Sequence, residues 1–217
     1  MKFKAILEPI ENAGFIYLGS FYPGAQQTLI LIGNAGPDMW ARFSSQCDTA
    51  TTTLDQWTRR TVSHLAGILG ADVLFPFDIP PPPFLTWAGM TGATFTSPLG
   101  LSIHPVYGLW HGYRAALIFE RPLELPATTP AQSPCDSCEQ KPCLTTCPVT
   151  AFSAEGYNVP ACIEHINSTD TSDCLDLGCR ARRACPIGKE YHYSPQQARF
   201  HMTAFIKGQE QPTDESN

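Results

Sequence analysis

The chain has 217 residues, 43% of them hydrophobic and 16% charged, a balance that excludes global disorder and allows a real buried core. Its 14 Lys and Arg face 20 Asp and Glu, for a formal charge of −6. Residues 1–130 carry 7 basic and 9 acidic side chains and residues 131–217 carry 7 and 11, so neither half has the positive excess that phosphate-backbone binding uses.

Nucleic acid is therefore not expected as a direct partner. No apolar run is long enough to span a bilayer, and the N-terminus, with Glu8 and Glu11, lacks the apolar core of a secretory signal. These features predict no membrane partner and a cytoplasmic location, where thiols stay reduced. Nine cysteines in that setting point to metal or redox chemistry rather than a disulfide framework.

In chain order, residues 2–13 read as a short helix that runs against Pro9 and stops at Gly14. Phe15–Tyr22 and the continuous apolar run Thr28–Ile32 read as strands, the second buried on both faces. The turn Asn34-Ala35-Gly36-Pro37 leads into a helix over 38–45. The clearest helix is 54–69. Thr53 with Gln56 makes a capping box, and Leu54, Trp57, Val62, Leu65, Ala66 and Leu69 share one face. Ala71–Phe75 reads as a strand and Pro80–Pro83 as a stiff connector. Leu99–His104 and Tyr113–Glu120 read as strands around the turn PVYGLW.

Four prolines in 121–134 mark a linker, and residues 135–190 form a cysteine-rich module with short elements. A helix from Pro195 to residue 207 closes it, before a polar tail. The expected organisation is a front domain over 1–126, a linker over 127–134, a cluster module over 135–207 and a tail over 208–217.

The module holds two motifs: Cys135-x2-Cys138-x4-Cys143-x3-Cys147-Pro148 and Cys162-x11-Cys174-x4-Cys179-x5-Cys185-Pro186. A [4Fe–4S] cluster takes four thiolates, and the fourth cysteine of a C-P motif ligates the other cluster in two-cluster ferredoxins. That crossing rule assigns Cys135, Cys138, Cys143 and Cys185 to one cluster. Cys147, Cys162, Cys174 and Cys179 then hold the second. The competing reading is zinc, which also takes C-x2–4-C pairs but needs neither the paired C-P endings nor eight crossing ligands. Cys47 stands apart and reads as a small buried side chain. Arg180, Arg182, Arg183 and Lys189 lie near the cluster loops, either as a solvated face or as a group that tunes the clusters or docks a donor.

The module resembles the bacterial dicluster ferredoxin domain, although x4 in the first motif and x11, x4 and x5 in the second depart from its tight spacing. In the front half, Ile103-His104-Pro105, Tyr107-Gly108, Trp110 and Arg114, followed by Leu-Glu-Leu-Pro at 123–126, resemble the cobalamin-processing proteins of the type defective in combined methylmalonic aciduria and homocystinuria. Residues 28–43 and 54–65 are similar to the same family. The resemblance implies an α+β fold with a flavin-reductase- or nitroreductase-like sheet domain that binds cobalamin or FMN. It nominates His104, Tyr107, Trp110, His111 and Arg114 as cofactor-binding, with Arg114 matching the arginine that helps hold a thiol cosubstrate.

The order of a cobalamin domain followed by a dicluster module resembles the epoxyqueuosine reductases and their dehalogenase relatives. The Gly-Trp-Ile-Gly-Lys stretch of the queuosine enzymes is replaced here by Ser97-Pro98-Leu99-Gly100-Leu101, which argues against a tRNA substrate. The combined expectation is an oxidoreductase. An external donor of flavodoxin or ferredoxin-reductase type feeds two [4Fe–4S] clusters, and these reduce a cobalamin or flavin that acts on itself or on a small molecule. The alternative is a ferredoxin-type electron carrier whose front domain only docks partners.

Overall fold

A computed structural model describes residues 3–127, 131–168 and 173–210. Residues 128–130 of the expected linker, 169–172 of the x11 stretch and most of the expected tail lie outside the described residues.

The front half is built on a four-stranded antiparallel sheet in the order β1-β2-β6-β3. Its strands are β1 (Ile16–Gly24), β2 (Gln27–Ala35), β3 (Asp72–Leu74) and β6 (His111–Phe119). The central strand β2 is buried from Thr28 to Ala35, as its unbroken apolar run requires. It pairs with β6 in a register that sets Ile30 opposite Leu117 and Ile32 opposite Ala115.

One sheet face carries α1 (Phe3–Asn12), α2 (Asp38–Gln46) and α3 (Leu54–Leu69) over a core that includes Phe15, Ile30, Ile32, Phe43, Trp57, Leu117 and Phe119. The other face packs Leu18, Phe21, Leu29, Leu31 and Ala116 against α4 (Phe84–Thr91). Helix α3 has both halves of its capping box: the Gln56 amide donates to Thr53 Oγ1 at 3.1 Å and the Thr53 amide to Gln56 Oε1 at 3.0 Å. Gly70 ends it in the left-handed region at φ 65.

Two expectations change. Leu99–His104 is not one strand but part of a hairpin, β4 (Phe95–Thr96) with β5 (Ser102–Ile103), separate from the main sheet. The Ser97 amide closes on the Leu101 carbonyl, and Gly100 takes φ 73, so the chain turns where a strand would continue. Helix α4 was not anticipated: it is apolar nearly all round, so it lacks the polar face that reveals a helix in sequence.

The cysteine-rich half has short elements: α5 (Pro142–Thr145), the hairpin β7 (Phe152–Ser153) and β8 (Gly156–Tyr157), α6 (Val159–Asn167), α7 (Cys174–Leu177) and α8 (Arg180–Arg183). Helix α9 (Pro195–Glu210) packs against α7 and also returns to the front core. Phe200 lies 4.8 Å from Trp40 and 5.9 Å from Phe43 between ring centroids, and fully buried Gln197 donates to the Gly36 carbonyl. Among the described residues no helix is long and apolar enough to cross a membrane.

Candidate functional site: two rings of cysteines against the sheet domain

All nine cysteines are free thiols. Eight of them face two cavities. Cys135, Cys138, Cys143 and Cys185 line the first, together with Pro98 and Ile103 of the front half and Pro186 and Ile187. Leu99, Ile103 and Leu109 form one buried cluster with Cys143 and Cys185, so the β4–β5 region backs that side of the ring, while Cys135 and Cys138 are partly exposed. The interior is tight, about 20 Å³. Burial pushes the Cys143 thiol up, and the nearness of Cys185, Cys135 and Cys138 adds to it. Burial also raises Cys135, opposed by the Ser133 hydroxyl, and Cys185, opposed by the Ile187 amide.

Cys147, Cys162, Cys174 and Cys179 line the second cavity, of about 250 Å³. Cys162 sits on α6, Cys174 opens α7 and Cys179 precedes α8. The Ala151 amide donates to Cys147 Sγ at 3.3 Å. Burial raises Cys179, and the amides of Arg182 and Ala181 work against that rise. Asp173, beside Cys174, pairs with Arg180 and Arg183, each at 2.6 Å. The structure thus gathers the eight thiols as four and four, each set drawing from both C-P motifs. Among the described residues no group of three or more His, Cys, Asp or Glu is arranged to hold a metal ion. Cys47 lies apart, partly buried against the front core, with Arg60 donating to its sulfur at 3.5 Å.

Arg182 is drawn inward. Arg182 donates from Nε to the Leu109 carbonyl at 2.8 Å and stands over the rings of Trp110 at 4.4 Å and Tyr193 at 4.8 Å. It joins the second ring's wall to the front sheet.

The five front-domain residues fall into three places. Trp110 is buried, 1% exposed, with His192 at 4.4 Å and Tyr193 at 5.2 Å besides Arg182. His104 caps its own turn, accepting at Nδ1 from the amides of Val106 and Tyr107, and stacks on Tyr107 at 4.5 Å. His111 lies 5.9 Å from His104, and its Nδ1 meets the Gly108 carbonyl at 3.1 Å. Burial lowers the His111 pKa to about 4, with His104 and Arg182 adding to the shift. Arg114 pairs with Asp55 at 2.5 Å and with Thr58 at 3.0 Å. It lines a groove of about 1080 Å³ with Asp55, Thr53, Phe200, His201 and Lys207.

Two contacts that sequence motifs do not announce fix the halves together. Gly108 lies so close to the Ile187–Gly188 backbone that a Cβ there would fall 2.0 Å from the Ile187 carbonyl oxygen. Pro98 and Ile103 reach the first ring from the front half, in the stretch where the queuosine-enzyme motif is replaced. The only sequence signal for either was a glycine after an aromatic and an unusual Ser-Pro-Leu-Gly-Leu.

No protein-family model matches the sequence, and no curated protein matches it. Solved structures do. An epoxyqueuosine reductase from Streptococcus thermophilus superposes with a TM-score of 0.53 at 14% identity, over 89% of this chain and 68% of that one. The C. elegans B12-trafficking protein CblC, a human MMACHC homologue, does so at 0.52 and 16%, over 91% and 90%. An epoxyqueuosine reductase solved with a modified tRNA stem loop gives 0.50 and 16%, over 91% and 68%. That neighbour was solved with a tRNA stem loop, whereas the acidic balance and the replaced Gly-Trp-Ile-Gly-Lys stretch led us not to expect nucleic acid as a partner of this chain. The chain shares its fold with both the epoxyqueuosine reductases and the B12-trafficking protein, the two groups its sequence resembles.

Proposed function

We propose that the chain is an iron–sulfur oxidoreductase. Cys135, Cys138, Cys143 and Cys185 hold one [4Fe–4S] cluster, and Cys147, Cys162, Cys174 and Cys179 hold a second. The front domain places a cobalamin or flavin for reductive chemistry on that cofactor or on a small substrate. The observation that carries this reading is the division of eight thiols around two cavities, each set drawn from both C-P motifs. Zinc would also take four thiolates per site, but it needs neither the paired C-P endings nor eight ligands crossing between the two motifs.

When bound, the clusters supply electrons one at a time and the corrin or flavin accepts them. The chain's own residues do the rest. The Ala151 amide donates to Cys147 Sγ, and the amides facing Cys179 and Cys185 oppose the rise that burial gives those two thiols. Leu99, Ile103 and Leu109 shield the Cys143 and Cys185 side of the first ring. Arg114 offers a cationic wall to the groove beside α9, where an anionic edge of cofactor or substrate competes with Asp55. An external donor of flavodoxin or ferredoxin-reductase type supplies the electrons.

One observation favours the second reading, an electron carrier without a front-domain cofactor. Trp110 is enclosed by Arg182, His192 and Tyr193, and His104, Tyr107 and His111 pack among themselves. Arg114 is the one of the five that lines an open groove.

Purification without oxygen, followed by iron and acid-labile sulfide assays, tests the first point. The expected yield is about eight of each per chain. Zinc without sulfide overturns it. Titration of the loaded protein with hydroxocobalamin or FMN then separates enzyme from carrier: stoichiometric retention of either supports the enzyme, and retention of neither supports the carrier.

A further inference from the structure

The two cysteine rings have equal numbers of thiols but unequal space. The first encloses about 20 Å³, the second about 250 Å³. The extra room is walled by apolar and aromatic side chains. Phe152 and Tyr157 stack at 4.7 Å and 10°, and Phe205 lies 6.4 Å from Tyr157 at 22°. Tyr157 is 39% exposed, Leu101 45% and Val149 37%, so the cavity opens to solvent there.

Into this apolar space come two imidazoles, His165 from α6 and His201 from α9. The Nε2 atom of each is buried and has no hydrogen-bond partner. A buried polar nitrogen left unpaired costs about 1–3 kcal/mol, and native proteins rarely tolerate such groups without a partner. Two in one cavity call for a ligand with two hydrogen-bonding edges. Burial lowers His201 to about 4, so its imidazole is neutral near pH 7 and presents an N–H or a lone pair without a charge. The aromatic slab calls for a flat body between those edges. The volume, part of which lies against the four thiols, is already below the roughly 300–1,000 Å³ usual for larger ligands, which limits the ligand to a small ring system.

We propose that this cavity binds a planar quinone-type ring beside the second cysteine ring, its apolar body on Phe152, Tyr157 and Phe205 and its two carbonyl oxygens accepting from Nε2–H of His165 and His201. The site rests on the reading that Cys147, Cys162, Cys174 and Cys179 hold a cluster, because that cluster fills the thiol side of the cavity and leaves the aromatic side to the ligand.

The test uses the full chain with its iron and sulfide loaded and assayed, and menadione as the probe, measured by anaerobic equilibrium dialysis. One menadione per chain is expected. His165→Ala and His201→Ala each weaken retention about tenfold, the loss of one hydrogen bond. His64→Ala, on the exposed side of α3, leaves it unchanged. Circular dichroism and iron content identify any variant that has lost its fold, and Phe205→Ala supplies an independent loss of ring contact. A loaded chain that does not retain menadione, or whose two histidine variants retain it as well as the parent, overturns the proposal. So does preferential retention of FMN. A changed cluster EPR signal in the histidine variants, with menadione retention intact, assigns the imidazoles to cluster sulfides and also overturns it. A chain that fails to load iron and sulfide sinks the cluster reading instead, and the metal assay separates the two failures.

Discussion

The front sheet and the cysteine-rich half are held together by different physics. The sheet domain buries Trp57, Phe15, Phe43, Phe75, Phe119 and a row of Ile and Leu to below 2% exposure. Burial on that scale, at about 1.5–3 kcal/mol per large apolar side chain, accounts for a self-supporting core. The cysteine-rich half, before α9, has three α-helices of four residues, one of nine and a hairpin of two-residue strands. Of its side chains, Cys143, Ala151, Ile166, Cys174, Ala181 and Cys185 are among the few apolar ones that reach burial. Three of these six are cysteines. Under the proposed reading, such a half takes its order from the clusters and from the sheet behind it.

The sharpest way to break this comparison is to remove one thiol. Cys143→Ser should lose about half of the iron, because one ring cannot close. Hydrogen exchange should then quicken across 135–191 while β1, β2 and β6 keep their protection. Cys47→Ser should change neither iron nor exchange. Equal loss of protection in both halves would show that the sheet depends on the rings, contrary to the burial argument.

The seam between the halves gives the next largest effect. Gly108 has φ 57, and a Cβ there meets the Ile187 carbonyl at 2.0 Å. Gly108→Ala should cost about 3 kcal/mol through left-handed strain and a backbone clash. Urea unfolding measures the loss. The variant should also expose the first ring, so iron should leave it faster when a chelator is added. A variant as stable as the parent would mean that the turn and the Ile187–Gly188 segment are not tightly docked.

What was legible in the sequence divides along the same line. Helix α3 was read to the residue, because Thr53, Gln56 and Gly70 are local signals and the apolar period is clean. Strands β2 and β6 were found but with shorter or shifted ends, since burial continues past the apolar run into Asn34 and Ala35. Helix α4 carried no period to read. In the cysteine-rich half, the spacing and the C-P endings named the same two sets of four that the structure gathers. What spacing did not carry were contacts between residues far apart in the chain: Arg182 on Trp110, Gly108 on Ile187, Phe200 on Trp40. None has a local signature, so the intimacy of the two halves was invisible.

A pH experiment sharpens the comparison from inside the seam. His111 is buried, and its pKa drops from 6.5 to about 4 on folding. Above pH 6.5 it is neutral in both states and contributes no slope. Between 6.5 and 4 the unfolded chain binds a proton that the folded chain refuses, so stability falls as pH is lowered through that window. The ceiling is on the order of 3 kcal/mol, and about 1–2 kcal/mol is expected between pH 7 and pH 5. His111→Gln should flatten that part of the profile relative to the parent. An identical slope in the two proteins would place the imidazole in contact with water.

The smallest effect belongs to the part of the front domain farthest in kind from the thiols. Thr53 Oγ1 accepts the Gln56 amide at 3.1 Å and opens α3. Thr53→Ala should cost about 1 kcal/mol, the usual worth of an N-cap. That loss should appear in global unfolding and not in iron content, because the cap supports the apolar core alone. Thr53 also borders the Arg114 groove, however, one residue before Leu54 and two before Asp55. A fraying α3 would loosen Asp55 and free Arg114 from its partner. If the groove binds an anionic ligand through Arg114, the cap variant should therefore bind it slightly better while being slightly less stable. A stability loss with no change in affinity would separate the helix start from the groove and leave Arg114 as a purely structural ion pair.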